Sequence, residues 1–151
     1  MLKTGYERSL AQAGALVALF LAFPATAEAQ YEGQVRNQLH AIQTVAESAD
    51  YRRTHEYQID RLSGDRVVAF NVTLREGWKY QIASVCDIDC TDLDIEVYDE
   101  HQNLIGADHE TDDMPIVAVE PLWTGRFTIR VRMHACSNEP CYFGVAVFGK
   151  Y

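Results

Sequence analysis

The spacing of apolar residues along the chain changes near Asp50, and this change separates a helical part from a β part. Before Asp50, apolar side chains recur at intervals of three and four, as they do on one face of a helix. These positions are Val35, Leu39, Ile42, Val45, Ala46 and Ala49. The pattern predicts an N-terminal helix within residues 30–52. Its apolar face either packs on its own domain or docks a partner protein through Leu39 and Ile42.

After Asp50, apolar and polar residues alternate along most of a series of short segments, which is the pattern of half-buried strands. The predicted strands cover residues 54–60, 68–74, 78–85, 93–98, 104–107, 116–120, 127–133 and 143–148. Segment 116–120 is apolar on both faces, which predicts a covered strand. Short strands at regular spacing, separated by turn residues, predict an antiparallel β-sandwich or jelly roll of about eight strands. We place this domain at residues 53–151.

The first 29 residues have the pattern of a secretory signal peptide. A basic start at Lys3 precedes an apolar stretch over residues 13–23, and the small residues Ala27 and Ala29 follow. We expect cleavage after Ala29, with Ala27 as the alternative. The apolar stretch is shorter than the roughly 20 residues of a spanning helix, and no later segment is long enough either. The mature protein is therefore expected in the periplasm or outside the cell, without membrane insertion.

Export determines how the four cysteines are interpreted, because an even number of cysteines in an exported chain predicts disulfides. The cysteines form two short clusters, Cys86 with Cys90 and Cys136 with Cys141. Pairing within each cluster closes loops that disulfide geometry allows and would fix the shape of two turns. The alternative is a zinc site built from the four thiolates, with or without His134.

Composition and charge exclude several classes of function. The chain has 151 residues, with 13 Lys and Arg against 22 Asp and Glu, which gives a formal net charge of -9. Such an acidic protein is not expected to bind nucleic acid or an anionic membrane surface. The sequence contains no G-x-S-x-G, no H-E-x-x-H and no glycine-rich phosphate loop, and its histidines are scattered. We therefore expect that the protein is not an enzyme, with an unrecognised hydrolase as the weaker alternative.

Acidic residues concentrate around the first cysteine cluster, which makes this segment a candidate ion site. The cluster consists of Asp87, Asp89, Asp92 and Asp94. Calcium prefers several carboxylate oxygens from flexible loops, so these residues are the candidate calcium ligands. Their spacing differs from that of the calcium-binding hand loop. The competing interpretation is a solvated acidic rim that keeps the protein in solution.

A further interpretation assigns part of this cluster to the sheet. Side chains alternate along a strand, so Asp92, Asp94 and Glu96 share one face. The predicted strand at residues 127–133 and its preceding turn carry basic residues with the same alternation. These are Arg126, Arg130 and Arg132. If the two strands are neighbours, the acidic and basic rows form cross-strand pairs.

The order of several features also points to a family. They are Gly77-Trp78 with Tyr80, Asp92-Leu93-Asp94, Tyr98-Asp99, the Asp-rich segment 108–113, and Gly125-Arg126-Phe127. In this order, over about residues 56–148, the chain resembles the bacterial pre-peptidase C-terminal domain family, as a stand-alone secreted member. The resemblance implies a β-sandwich without catalytic activity of its own. Some members of that family bind calcium or extracellular polymers.

These observations predict a non-catalytic exported binding or accessory module, stabilised by calcium if the acidic loop binds an ion. Its partner would be an unknown protein or an extracellular polymer. The alternative is a structural envelope-interaction protein that docks a partner through its N-terminal helix. The sequence identifies neither the ligand nor the oligomeric state.

Overall fold

The computed structural model describes residues 26–151, which form one helix followed by nine strands. The elements are α1 (Ala27–Ser48), β1 (Arg52–Arg53), β2 (Gln58–Leu62), β3 (Arg66–Leu74), β4 (Lys79–Cys86), β5 (Cys90–Tyr98), β6 (Leu104–Asp108), β7 (Ile116–Val119), β8 (Gly125–Cys136) and β9 (Cys141–Lys150). Most of the predicted signal peptide lies outside the described residues. Helix α1 begins at Ala27, ahead of the predicted cleavage position at Ala29.

The strands form two antiparallel sheets that pack face to face. In the first sheet, β1 and β2 both pair with β9, which is followed by β4 and then by β7 at the far edge. Because α1 lies on its outer side, we call it the helix-covered sheet. The second sheet has the order β3-β8-β5-β6, and we call it the open sheet. This architecture confirms the predicted β-sandwich with an N-terminal helix. The strand count rises to nine because the chain around residues 54–60 pairs with β9 in two short pieces.

Apolar residues from both sheets fill the space between them. The largest fully buried members are Phe127, Phe143, Leu74, Ile82, Leu93, Ile95, Ile129 and Met133. Each side chain of this size contributes about 1.5–3 kcal/mol when it is buried. The alternation seen in the sequence exists because the strands present one side to this shared core.

Helix α1 packs on β4 and β9, which are therefore buried on both faces. Its buried residues Val35, Leu39 and Ala46 contact a second apolar cluster on the outer side of the helix-covered sheet. This cluster consists of Ala83, Val85, Ala146 and Phe148. Leu39 is fully buried and Ile42 is partly buried against the same cluster. The domain's own sheet covers Leu39 and part of Ile42, so the helix packs on its own domain, and the docking of a partner through these two residues stays a prediction.

Strand β7 also differs from its prediction. It lies at the edge of the helix-covered sheet and pairs with β4 alone. Val117 and Val119 point into the core, whereas Ile116 and Ala118 are exposed. Segment 116–120 is thus not covered on both sides. Its outward apolar residues lie beyond the reach of α1, which covers the two central strands.

The contact between α1 and β9 depends on Gly144. A Cβ atom at this position would lie 2.6 Å from Val35 Cγ1 and 2.8 Å from Leu39 Cδ1. We expect Gly144→Ala to lower the free energy of unfolding by about 1–3 kcal/mol, because extra volume in a packed core forces strain. Urea denaturation measures the change.

Gly33→Ala is the matched control for this prediction. Gly33 lies inside α1, and nothing lies within 4 Å of its Cβ position. Alanine should raise the stability there by roughly 0.5–1 kcal/mol, because glycine is unfavourable in a helix interior. Equal stability changes in the two variants would contradict a close approach of α1 at Gly144.

Candidate functional site

Both predicted local disulfides are confirmed. Cys86 pairs with Cys90 and Cys136 pairs with Cys141, each with a Cα–Cα distance of 5.9 Å. The two bridges meet at one end of the sandwich, because Cys90 is the register partner of Cys136. Since all four sulfur atoms are bonded in disulfides, the zinc alternative is wrong. Two disulfides in one domain indicate an oxidising environment.

Asp87 ties the first disulfide loop to β9. Its side chain is almost fully buried, and its carboxylate accepts hydrogen bonds from two backbone N–H groups. These donors are Asp89 N at 3.1 Å and Tyr142 N at 2.6 Å. The N–H of Asp87 in turn donates to the carbonyl oxygen of Tyr142 at 3.0 Å. The Asp87 carboxylate is therefore committed to holding backbone in place.

Asp89 lies near the surface of the same end of the molecule. Its carboxylate accepts a hydrogen bond of 3.4 Å from the side-chain amide of Asn138. A hydrogen bond between Tyr31 and Asp89, together with the charge of that carboxylate, raises the pKa of the Tyr31 phenol. Asp89 thus links the start of α1 to the second disulfide loop.

The four aspartates predicted as calcium ligands do not come together. Asp87 and Asp89 belong to the disulfide end, whereas Asp92 and Asp94 lie on β5 in the open sheet. Within residues 26–151, no group of three or more His, Cys, Asp or Glu side chains is arranged to hold a metal ion. The structure therefore does not bring the four predicted ligands together within the described residues, and calcium binding stays a prediction.

The interpretation of acidic and basic rows on neighbouring strands is confirmed for the central part of the open sheet. Strand β5 pairs with β8, with Asp94 opposite Arg132 and Glu96 opposite Arg130. Arg126 lies beyond the last pair of these two strands and has no acidic residue of β5 opposite it. The shared outer face of β5 and β8 is the setting of the candidate site.

Glu96 is the centre of a hydrogen-bonded network on this face. Its carboxylate accepts from the Tyr98 hydroxyl at 2.8 Å and lies 3.3 Å from Arg130 Nη1 and 3.1 Å from His109 Nε2. Arg130 also donates to the Tyr98 hydroxyl at 3.1 Å. The hydrogen bond to Glu96 raises the pKa of Tyr98, so the phenol remains a donor. These neighbours thus hold the Glu96 carboxylate in a fixed orientation on the face of the sheet.

Asp92 and Asp94 are poorly paired by comparison. The Arg132 guanidinium, which lies opposite Asp94 in the sheet, binds Asp65 at 3.0 Å instead. Asp92 is only 8% exposed, and its Oδ1 is buried without a hydrogen-bond partner among the described residues. The nearest basic atom, Nε2 of His134, is 3.9 Å from Asp92 Oδ2. Burial and the charge of Asp92 raise the pKa of Asp94.

These side chains surround a shallow cavity of about 290 Å³ on the outer side of the open sheet. It is lined by Val67, Asp94, Glu96, His109, Arg130 and Arg132. We call this surface the charged face and include in it the neighbouring Asp65, Asp92, Tyr98 and His134. Because α1 covers the outer side of the other sheet, the charged face is the broad sheet surface open to a ligand.

Sequence reasoning found part of the charged face and missed the rest. Alternation identified the acidic row and the arginines, and it could have found Tyr98, which follows Glu96 by two residues on the same strand. His109 and Asp65 come from a loop and a turn. Their approach to the sheet depends on chain packing that no local spacing predicts.

A second depression, of about 430 Å³, is mainly apolar and lies near β6 and β7. Its lining includes Ile105, Leu122 and Trp123 together with two acidic residues, Asp99 and Glu120. Burial alone would raise the pKa of Asp99, but hydrogen bonds from the side chain and backbone of its neighbours hold it below the usual value. Glu120 lies 3.6 Å from Lys79. Both carboxylates have partners there, whereas Asp94 on the charged face has no ion-pair partner among the described residues, so the charged face is the stronger candidate.

No known family model matches the chain, and no characterised protein shows a significant sequence match to it. The helix that the structure describes does not combine the length and the apolar character needed to cross a membrane. Fold and site together define a disulfide-stabilised β-sandwich that covers one outer side with a helix and exposes a charged face on the other.

Proposed function

We propose that the protein is a non-catalytic exported module that binds an extracellular glycan on the charged face. The observation that carries the proposal is the row of charged and hydrogen-bonding side chains around the cavity of the open sheet. Carboxylates and guanidiniums fixed by their own hydrogen bonds provide oriented partners for sugar hydroxyls.

Three features of the sequence support export and a binding role. The signal-peptide pattern at the N-terminus and the two disulfides favour the periplasm or the outside of the cell. The resemblance to the pre-peptidase C-terminal domain family favours an accessory module, because some of its members bind extracellular polymers. The absence of common catalytic motifs from the sequence favours binding over catalysis. The alternative of partner docking through α1 loses its main support, because Leu39 is buried.

Retention of the purified protein on a panel of insoluble polysaccharides tests this function. The decisive variant combines Glu96→Gln with Arg130→Gln, which leaves the net charge unchanged and removes the network around Glu96. We expect its retention on the preferred polysaccharide to weaken about tenfold or more, which corresponds to roughly 1.4 kcal/mol of binding free energy.

The matched control combines Glu32→Gln with Arg36→Gln, an exposed ion pair of 2.8 Å on α1. It also leaves the net charge unchanged, so its retention should equal that of the unaltered protein. Exposed ion pairs contribute little to stability, so the control should melt like the unaltered protein. A melting curve of the Glu96→Gln and Arg130→Gln variant checks that it is folded under the conditions of the retention assay. Equal retention of the two variants would remove the charged face as the binding surface. Failure of the unaltered protein to bind any polysaccharide would refute the glycan-binding function.

A further inference from the structure

The charged face carries more negative than positive charge. Its carboxylates are Asp65, Asp92, Asp94 and Glu96, and its guanidiniums are Arg130 and Arg132. Each guanidinium already has a carboxylate partner, Glu96 for Arg130 at 3.3 Å and Asp65 for Arg132 at 3.0 Å. Asp92 and Asp94 remain side by side on β5, without a matching guanidinium or ammonium among the described residues.

This imbalance is unfavourable for the folded protein alone. Asp92 is 8% exposed, and its buried Oδ1 accepts no hydrogen bond within the part of the chain that the structure describes. A buried acceptor without a donor destabilises a fold. Burial and the neighbouring charge of Asp92 raise the pKa of Asp94, so ionised Asp94 is also unfavourable. Asp94 lines the cavity, and a perturbed carboxylate beside a cavity is typical of a binding site.

We propose that a primary ammonium group of the ligand binds in this cavity at Asp94, beside Asp92, and that the ligand is a glycan of amino sugars with free amines. This inference rests on the proposed function and names the group that the charged face recognises. An ammonium brings one positive charge and several N–H donors to Asp94, which lines the cavity and has no ion-pair partner among the described residues because Arg132 binds Asp65. Its charge also offsets that of the neighbouring Asp92. The adjacent Glu96 network then faces the hydroxyls of the same sugar.

A glycan suits this surface better than a peptide with the same ammonium group. Apart from Val67, the residues around the cavity are polar or charged, and they include both donors and acceptors. Sugar rings carry hydroxyls along their whole edge and can use both kinds of partner. A lysine-rich peptide would engage Asp94 through its ammonium groups, but its side chains carry no hydroxyls for the Glu96 network. The two sources of an ammonium group can therefore be separated by experiment.

Calorimetric titration of the purified protein at near-neutral pH provides the test. The probes are a glucosamine oligosaccharide with free amines, the N-acetylated oligosaccharide of the same length, and a lysine oligopeptide. We expect the amine-bearing oligosaccharide to bind about tenfold tighter than the acetylated one. The lysine peptide should bind more weakly than the amine-bearing oligosaccharide.

Asp94→Asn and Asp113→Asn separate this site from general charge attraction, because each removes one negative charge. Asp113 is exposed and lies near α1, away from the charged face. Asp94→Asn should abolish the preference for the free amine, whereas Asp113→Asn should preserve it.

Asp94→Asn should also raise the melting temperature at neutral pH. Burial and the charge of Asp92 raise the pKa of Asp94 in the folded state by more than the nearby His109, His134 and Arg132 lower it. Ionisation of Asp94 therefore lowers stability as the pH rises through that pKa. The gain in the variant should therefore disappear when the pH falls below the ordinary pKa of 3.8, where the carboxyl group is protonated in both states. Asp113→Asn should leave the melting temperature unchanged.

Each contrary result has a distinct meaning. Equal affinities for the amine and acetylated oligosaccharides would overturn the ammonium inference and leave the proposed glycan binding intact. Tighter binding of the lysine peptide would assign the ammonium group to a peptide and overturn the amino-sugar proposal. If Asp94→Asn and Asp113→Asn lower the preference for the free amine equally, that preference comes from general charge attraction and not from the cavity. If the protein shows no preference for the amine-bearing oligosaccharide and is retained on no polysaccharide, both proposals are wrong.

Discussion

Replacing Asp87 by alanine should destabilise the protein by about 3–6 kcal/mol, with or without calcium. Asp87 is 2% exposed, and its carboxylate accepts from two backbone N–H groups, those of Asp89 and Tyr142. Hydrogen bonds to a charged group contribute about 1.5–3 kcal/mol each, and alanine leaves both donors without an acceptor. Urea denaturation in the presence of calcium and of a chelator measures the loss.

Asp89→Ala provides the control in the same disulfide loop. Its carboxylate is partly exposed, and its hydrogen bond to Asn138 is long, at 3.4 Å. The hydrogen bonds that Ser137 donates to the backbone carbonyl of Asp89 survive the substitution. We expect a loss within about 0.5–1 kcal/mol. Calcium that stabilised the unaltered protein but not Asp89→Ala would contradict a purely structural role and would revive an ion site in this loop.

The fold was largely predictable because its strands share one core. Alternation in segments such as 127–133 reflects strands with one buried face, and the short cysteine spacings restricted the disulfide pairing. The packing of α1 on the helix-covered sheet was harder to predict, although the composition of β4 and β9 indicates it. Ala83, Val85 and Phe148 make their second faces apolar as well, which is unusual for a sandwich strand with a solvated side. In β7, apolar residues on both faces wrongly predicted a covered strand, because the position of β7 at a sheet edge depends on the topology.

The candidate site was predictable only where a single strand pair defines it. Alternation placed the acidic and the basic residues each on one face of their strand, whereas the pairing of β5 with β8 and its register come from the topology. The role of Asp87 could not be predicted from the sequence, because one of its hydrogen-bond donors, Tyr142, is 55 residues away along the chain. Nor could spacing show that Arg132 binds Asp65 and leaves Asp94 unpaired. Local sequence placed charges on the correct face but could not show which of them are neutralised.

Leu39→Ala should lower the free energy of unfolding by about 2–5 kcal/mol, because it opens a cavity between α1 and the helix-covered sheet. Leu39 is fully buried and packs directly on β9, since its Cδ1 would lie 2.8 Å from a Cβ atom at position 144. Val45→Ala is the control on the same helix. Val45 is 69% exposed, and its loss should change stability by no more than about 0.5 kcal/mol. Thermal and urea unfolding compare the two variants.

The same pair of variants separates the two functions considered for this protein. The charged face lies across the sandwich core from α1, so Leu39→Ala should retain glycan binding at temperatures where it is folded. A helix that served to dock a partner would behave in the opposite way. Its apolar stripe would tolerate alanine without loss of stability, and partner capture would fall. If Leu39→Ala leaves the unfolding free energy unchanged, α1 does not contribute to the core and the docking helix is favoured. A loss of several kcal/mol with intact polysaccharide retention fits a module that binds through its open sheet.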